Sequence, residues 1–260
     1  MTTHTIAEPF SRYQGVRQIL IYNWPFYVAA CLIDILAIVV MSQVVLPQLM
    51  LIGVYGITGL ATFWGLSSLL VSYYIYDRSP LYEWRWLPVL LSRAPQSWAN
   101  IHAGLDQTSD PLLRMFPGTE RRVLDIYTPS EMSEPAIERA RRSATIPLVE
   151  PANPFALPLE DQSCDTIFLI FAAHELRRHN ARVRFFCELR RALERGGSIL
   201  LVEHLRDWKN FLAYGPGALH FFSRREWMTV GSHSGLHVAR EVSVTPFVRC
   251  FVFTESAGQK

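Results

Sequence analysis

The side chains best suited to proton chemistry stand at the ends of apolar runs. His174 follows the run 166–171 within Phe171-Ala172-Ala173-His174-Glu175-Leu176, and His204 closes the run 198–203. An imidazole titrates near neutral pH, so each is a candidate catalytic group that takes a proton or orients a reactant. For His174 the position equally fits a histidine that caps a helix or packs. His102, His174, His204 and His220 lack the i, i+4 spacing of a helical metal site and have no obvious acid partners, so no metal site is expected. Cys31, Cys164, Cys187 and Cys250 are scattered without C-x-x-C spacing. They read as reduced structural residues, not as a disulfide frame or a zinc site.

These residues need elements to hold them. From about residue 97 the pattern alternates between strand-like and helix-like segments. Strands are predicted over 98–102, 122–127, 148–150, 166–171 and 198–203, with a closing pair over 238–244 and 246–254. Helices are predicted over 110–116, 133–142, 181–193 and 224–233. Ser133 is the expected cap of the second helix, and Gly196-Gly197 and Gly235 close the last two. Strands alternating with helices imply a mostly parallel sheet covered on both faces, the Rossmann-like α/β class.

Four segments carry a family resemblance. Val123-Leu124-Asp125-Ile126-Tyr127 places an acid at the end of the second main strand, where a carboxylate in such folds can grip ribose hydroxyls. Asn153-Pro154-Phe155-Ala156-Leu157-Pro158 leads by an acidic turn to Asp165. The run 167–176 ends in Phe171 and His174. Leu193-Glu194-Arg195-Gly196-Gly197 is a sharp helix-to-strand turn. In this order the segments resemble the class I S-adenosylmethionine (SAM)-dependent methyltransferases, over residues 97–255. The resemblance implies SAM as cofactor, held by Asn100, Gly104, Asp125, Ile126, Asn153 and Phe171, with His174 and His204 catalytic. Asn153 stands where an acid commonly meets the adenine amino group, and keeps only the neutral carbonyl acceptor. The family's glycine-rich loop is reduced to Gly104 in Ile101-His102-Ala103-Gly104-Leu105-Asp106. His102 and Asp106 fall on flanking glycine positions, where their side chains are expected either to obstruct the cofactor crevice or to serve a modified pocket. The aromatic insert 211–222 either shapes an acceptor pocket or packs in the core.

The stretch 18–76 has another character. Asp34 is its one charged side chain. A membrane span needs about 20 apolar residues, so the stretch reads as a transmembrane helical hairpin, with spans over 24–45 and 49–76. Asp34 within the first span is a functional candidate by default, or a carboxyl bonded to a hydroxyl of the second span. Gly53, Gly56 and Gly59 offer a small-residue face for close helix contact. The predicted organisation is a lead-in over 1–23, the hairpin over 24–76, an interfacial linker over 77–96 and a methyltransferase-like domain over 97–260. The turn between spans has no basic residue, whereas Arg12, Arg17, Arg78, Arg85 and Arg93 flank the hairpin. The positive-inside rule then puts both termini and the domain in the cytoplasm, at the inner membrane. A net charge of +2 implies no broad field toward nucleic acid.

Two functions follow as expectations. One is a membrane-anchored SAM-dependent methyltransferase acting on a lipophilic small molecule: a quinone, isoprenoid, pigment or lipid. The other is a catalytically silent subunit with the same fold, structural or regulatory in a membrane protein complex.

Overall fold

The computed structural model describes residues 13–104, 106–132, 135–143 and 149–256. The chain divides into two units, Met1–Tyr82 and Glu83–Lys260.

The first unit is a helix pair, α1 (Gln14–Gln43) and α2 (Gln48–Tyr73). Pro25 lacks the N–H that an interior helical residue donates, and α1 kinks beside it at Asn23 (φ −115°, ψ 15°). A wide turn, Tyr74–Arg78, extends α2 and brings Asp77 back to the start of α1. There its carboxylate accepts from the N–H groups of Gly15 (2.8 Å) and Val16 (2.9 Å), two orphan donors at a helix N-terminus. Between the helices Thr62 Oγ1 donates to Asp34 Oδ2 (3.0 Å), and Tyr27 and Ser68 share a hydrogen bond of 3.2 Å. Asp34 therefore has the hydroxyl partner that is the alternative to a functional role. Both helices are long and apolar enough to cross a membrane. Their apolar side chains stand outward, Phe26, Leu36, Ile38 and Leu49 among them. The glycines at 53, 56 and 59 face open space, so they do not make the contact between α1 and α2.

The second unit is one seven-stranded sheet. Its elements run β1 (Ser97–His102), α3 (Ser109–Met115), β2 (Glu120–Asp125), α4 (Pro135–Ser143), β3 (Glu150–Pro151), β4 (Cys164–Ile170), α5 (His179–Ala192), β5 (Leu193–His204), α6 (Trp208–Tyr214), α7 (Arg224–His233), β6 (Leu236–Thr245) and β7 (Val248–Glu255). The spatial order is β3-β2-β1-β4-β5-β7-β6. All neighbours are parallel except β7, which runs antiparallel to both β5 and β6. Every residue of β4 is buried, as a central strand covered on both faces requires. Ile101, Leu124, Ile167, Leu169, Ile199, Leu201, Phe251 and Phe253 from the strands pack with Phe185, Phe186 and Trp227 from α5 and α7.

Two details depart from the sequence expectation. β5 starts at Leu193, ahead of the Gly196-Gly197 turn, and its pairing with β4 shifts register between Cys164 and Thr166. Gly197 is needed there, because a Cβ would stand 2.7 Å from the Asp165 carbonyl oxygen. The insert 211–222 holds the end of α6 and a tight helical turn, Gly215–His220. The expected cap Ser133 and residue Leu148 lie outside the described residues.

Candidate active site

The strands of an open α/β sheet present ligands at their carboxyl edge, near the point where strand order reverses. That point lies between β1 and β4. The sequence-selected residues fall into two groups along this edge.

The first group surrounds the ends of β1 and β2. Asn100 is fully buried, and its Nδ2 donates to Thr108 Oγ1 (2.7 Å) and Ser109 Oγ (2.8 Å). Its Oδ1 is buried with no partner among the described residues. Asp106 does not intrude into the crevice. Its Oδ1 accepts from the N–H groups of Thr108 (3.0 Å) and Ser109 (2.9 Å), so it caps α3. His102 is also turned into the protein, its Nδ1 accepting from Gly104 N (3.2 Å). Burial pushes the His102 pKa down, against the raising effect of Asp106 and Asp125. The expected obstruction by His102 and Asp106 is thus corrected: short-range hydrogen bonds draw both side chains back to the loop.

Another side chain takes that place. Arg141 of α4 reaches the end of β2, where its Nη1 lies 2.6 Å from Asp125 Oδ2. The other Asp125 oxygen accepts from Tyr127 N (3.0 Å), and the guanidinium lies 4.2 Å over the Tyr127 ring. Gly104 has φ +104°, and a Cβ there would meet Arg141 Cγ at 2.7 Å. The Asp125 carboxylate, expected to meet a ribose, is occupied here by the ion pair with Arg141. Ile126 is fully buried in the core. Asn153 Oδ1 accepts from Phe155 N (2.9 Å), which commits that carbonyl to a local turn.

The second group lies at the ends of β4 and β5. Phe171 holds a left-handed backbone (φ +52°), uncommon for an aromatic residue, and stacks on His204 with ring centroids 5.1 Å apart. His204 stacks on Phe221 at 4.8 Å, and its Nδ1 donates to the Phe247 carbonyl (3.1 Å). Burial lowers its pKa to about 4, so it is a neutral packed imidazole. His174 is set between two acids. Its Nδ1 lies 2.8 Å from Glu203 Oε2, and its Nε2 lies 3.3 Å from Glu175 Oε1. Burial alone would lower the His174 pKa, but Glu203 and Glu175 outweigh it and drive the value up. The Glu175 pKa is lowered, because His174 overcomes the raising effect of burial. His220 stands against His174, ring centroids 5.2 Å apart, and burial lowers its pKa to about 3. Arg177 Nη1 donates to the carbonyls of His174 (3.1 Å) and His220 (2.8 Å), tying both segments together.

Arg141, Glu175, Arg177, Glu203 and His220 were not selected from the sequence. Glu203 carried a signal, as a lone acid inside the apolar run Leu200-Leu201-Val202-Glu203. A charge there must be paired or costs several kcal/mol.

A doubly wound sheet with an antiparallel seventh strand, and polar clusters at its carboxyl edge, defines a nucleotide-type α/β fold. Residues 113–201 match the family model described as a methyltransferase domain. Human N-acetylserotonin methyltransferase, solved in complex with SAM, superposes with a TM-score of 0.51 at 12% identity, over 82% of this chain and 61% of that one. A SAM-dependent methyltransferase from Aquifex aeolicus shares 20% identity over 61% of this chain and 81% of its own, with a TM-score of 0.45. One from Leishmania major shares 17% over 74% and 83%, with a TM-score of 0.48. No curated protein matches the sequence. The second unit has the class I methyltransferase fold, residues 113–201 within it match the methyltransferase-domain model, and two apolar helices precede it in the sequence.

The domain implies SAM, and the residues fit its nucleoside part on one condition. Asp125 stands at the strand end suited to ribose, and Gly104 leaves room for close approach. Both are covered by Arg141, so that side chain must leave Asp125 first. It is 28% exposed, which leaves it a path to solvent.

Proposed function

We propose that this protein is a membrane-anchored SAM-dependent methyltransferase whose acceptor is a lipophilic small molecule with an ionisable hydroxyl. The array Glu203–His174–Glu175 at the carboxyl edge of β4 and β5 carries the reading. SAM supplies an electrophilic methyl group when bound. Asp125 would hold the cofactor by accepting hydrogen bonds from the ribose hydroxyls once Arg141 is displaced. Glu175 Oε2 is buried and has no partner among the described residues, so it is the oxygen that takes the acceptor's proton. His174, held charged between its two acids, steadies Glu175 and the developing oxyanion through charge. This revises the role read from sequence: an imidazole already protonated cannot serve as the base. His204, neutral and stacked, shapes the pocket wall.

The apolar helices supply the second half. Helices apolar on all sides need a non-aqueous surrounding, and a hairpin of this length fits a bilayer. A tethered domain meets lipid-borne acceptors at raised effective concentration. The arginines that flank the hairpin support a cytoplasmic position for both termini and the domain.

A second reading has its own observation, the Arg141–Asp125 ion pair. If Arg141 never leaves, the domain is a silent subunit of a membrane complex. Calorimetric titration of the detergent-solubilised chain with SAM separates the two. The enzyme reading requires stoichiometric binding that Asp125→Ala abolishes. Absence of binding in both the wild type and Arg141→Ala, with co-purification in a larger assembly, removes it.

A further inference from the structure

The cluster at the ends of β4 and β5 holds more ligating groups than proton transfer needs. We propose that His174, Glu175 and His220 bind one divalent first-row transition-metal ion, with Glu203 orienting His174 from behind.

The geometry is near that of a preformed site. Donor atoms of His174, Glu175 and His220 all lie within 4.8 Å of one another. Metal–ligand bonds of about 2.0–2.1 Å in a tetrahedron separate ligand atoms by about 3.4 Å. The pair His174 Nε2 and Glu175 Oε1, at 3.3 Å, is already at that spacing. The widest pair closes by about 1.4 Å.

Glu203 supplies a second, independent observation. It is 1% exposed, it accepts from the His174 backbone N–H (3.2 Å), and its other oxygen meets Nδ1 at 2.8 Å. A carboxylate accepts only, so Nδ1 is the donor and Nε2 is the atom turned toward Glu175. A carboxylate behind a ligating imidazole is the usual outer support of a metal site. With Nδ1–H committed to Glu203, Nε2 is the ring atom that faces the Glu175 carboxylate, 3.3 Å away, and an ion bound there takes the place of the Nε2 proton. The buried, unpartnered Glu175 Oε2 adds ligating capacity, and Arg177 fixes the backbone at His174 and His220.

The charges agree. Glu175 and Glu203 outnumber Arg177, so the pocket requires one further positive charge, which His174 carries in the metal-free protein and a bound ion supplies in its place. Two imidazoles with one carboxylate favour zinc, iron, cobalt or nickel over magnesium and calcium, which take oxygen ligands. Three protein ligands leave a coordination position open. A second histidine cluster differs in kind. His179 lies near His233 (3.4 Å) and Glu226 (2.7 Å), but Glu226 is also bonded to the buried Arg182, whose charge already fills the place of an ion. It serves as the internal control.

The inference concerns the pocket assigned above to the acceptor, yet it does not depend on SAM, so either can fail alone. The test uses the full chain in mild detergent, metal-stripped and free of any polyhistidine tag, titrated with ZnCl2 by calorimetry and with CoCl2 by visible absorption. The expected result is one ion per chain. His220→Ala weakens it by about 100-fold or more, and Glu203→Gln by about 10- to 100-fold. His233→Ala leaves it unchanged. Should His220→Ala lose its native circular dichroism, Glu175→Gln carries the same expectation. Absence of 1:1 binding in the wild type overturns the proposal. So does loss of binding in His233→Ala with retention in His220→Ala or Glu175→Gln, which marks adventitious binding at the other cluster.

Discussion

Arg141 Nη1 sits 2.6 Å from Asp125 Oδ2, and its aliphatic stem covers the open face of Gly104. One side chain from α4 therefore guards both features that would hold a nucleoside. A ligand that needs Asp125 must displace an ion pair before it binds, and its apparent affinity falls by the fraction of molecules in which the arginine is out.

Arg141→Ala removes that competition. A partly exposed ion pair is worth about 0.5–1.5 kcal/mol, so SAM binding should tighten by about 2- to 10-fold in calorimetric titration. Asp125→Ala should abolish it. Weaker binding in Arg141→Ala would show that the arginine helps the ligand instead of guarding the site.

The sheet was legible in the sequence and the guard was not. The run over 166–171 read as a strand from its length and apolar character, and it falls on β4, whose every residue is buried. Gly196-Gly197 read as a sharp turn because glycine tolerates positive φ; Gly196 has φ +79°, and Gly197 has in addition no room for a Cβ. Arg141 stands with Arg139 and Arg142 toward the end of the helix predicted over 133–142, where basic residues are common. Nothing in the spacing says that its side chain turns back onto β2. His102 and Asp106 occupied positions where glycine was expected, which pointed to obstruction. Their rotamers answer to hydrogen-bond partners in the loop, and no pattern of residue types reports those. Glu203 and His220 lie on separate elements, so their convergence on His174 is a product of topology.

Arg182 and Glu226 anchor α5 to α7. Arg182 is 2% exposed, and its guanidinium lies 3.6 Å over the Phe222 ring as well as on Glu226. Removing one partner strands the other charge, so Glu226→Gln should cost about 3 kcal/mol in denaturant unfolding. Burial would raise the Glu226 pKa, but hydrogen bonds from Arg182 and His179 outweigh it and the value is lowered. A depressed acid stabilises the fold above its unfolded value of 4.5 and loses that contribution as pH falls through the folded value. The wild type should therefore lose stability below about pH 4.5 more steeply than Glu226→Gln. Parallel acid profiles for the two proteins would remove Glu226 as the cause.

Asp77 holds the two apolar helices at one end. Its carboxylate is the charged acceptor for the N–H groups of Gly15 and Val16. Asp77→Ala should lower the stability of the pair by about 1–2 kcal/mol, read as a drop in thermal midpoint in detergent. Gly15→Leu should do at least as much, because any Cβ at Gly15 would collide with the Tyr76 Cβ. A midpoint unchanged in both variants would mean that this contact does not bind α1 to α2.

The cysteines offer a direct test of the membrane reading. Cys187 is exposed on α5, whereas Cys164 and Cys250 are buried in the sheet. Burial raises the Cys250 thiol to about 12 and also raises Cys164, so neither forms thiolate near neutral pH. Cys31 stands on the outer face of α1, exposed within the protein itself. If that face meets lipid, a charged maleimide cannot reach it until detergent is added. In sealed inside-out vesicles Cys187 should label within minutes while Cys31, Cys164 and Cys250 stay unmodified, and in right-side-out vesicles none should label. In the inside-out vesicles detergent should then add Cys31 alone, and denaturant the last two. Labelling of Cys31 in intact vesicles as fast as Cys187 would put α1 in water. Labelling of Cys187 in sealed right-side-out vesicles would put the methyltransferase domain on the other side of the bilayer.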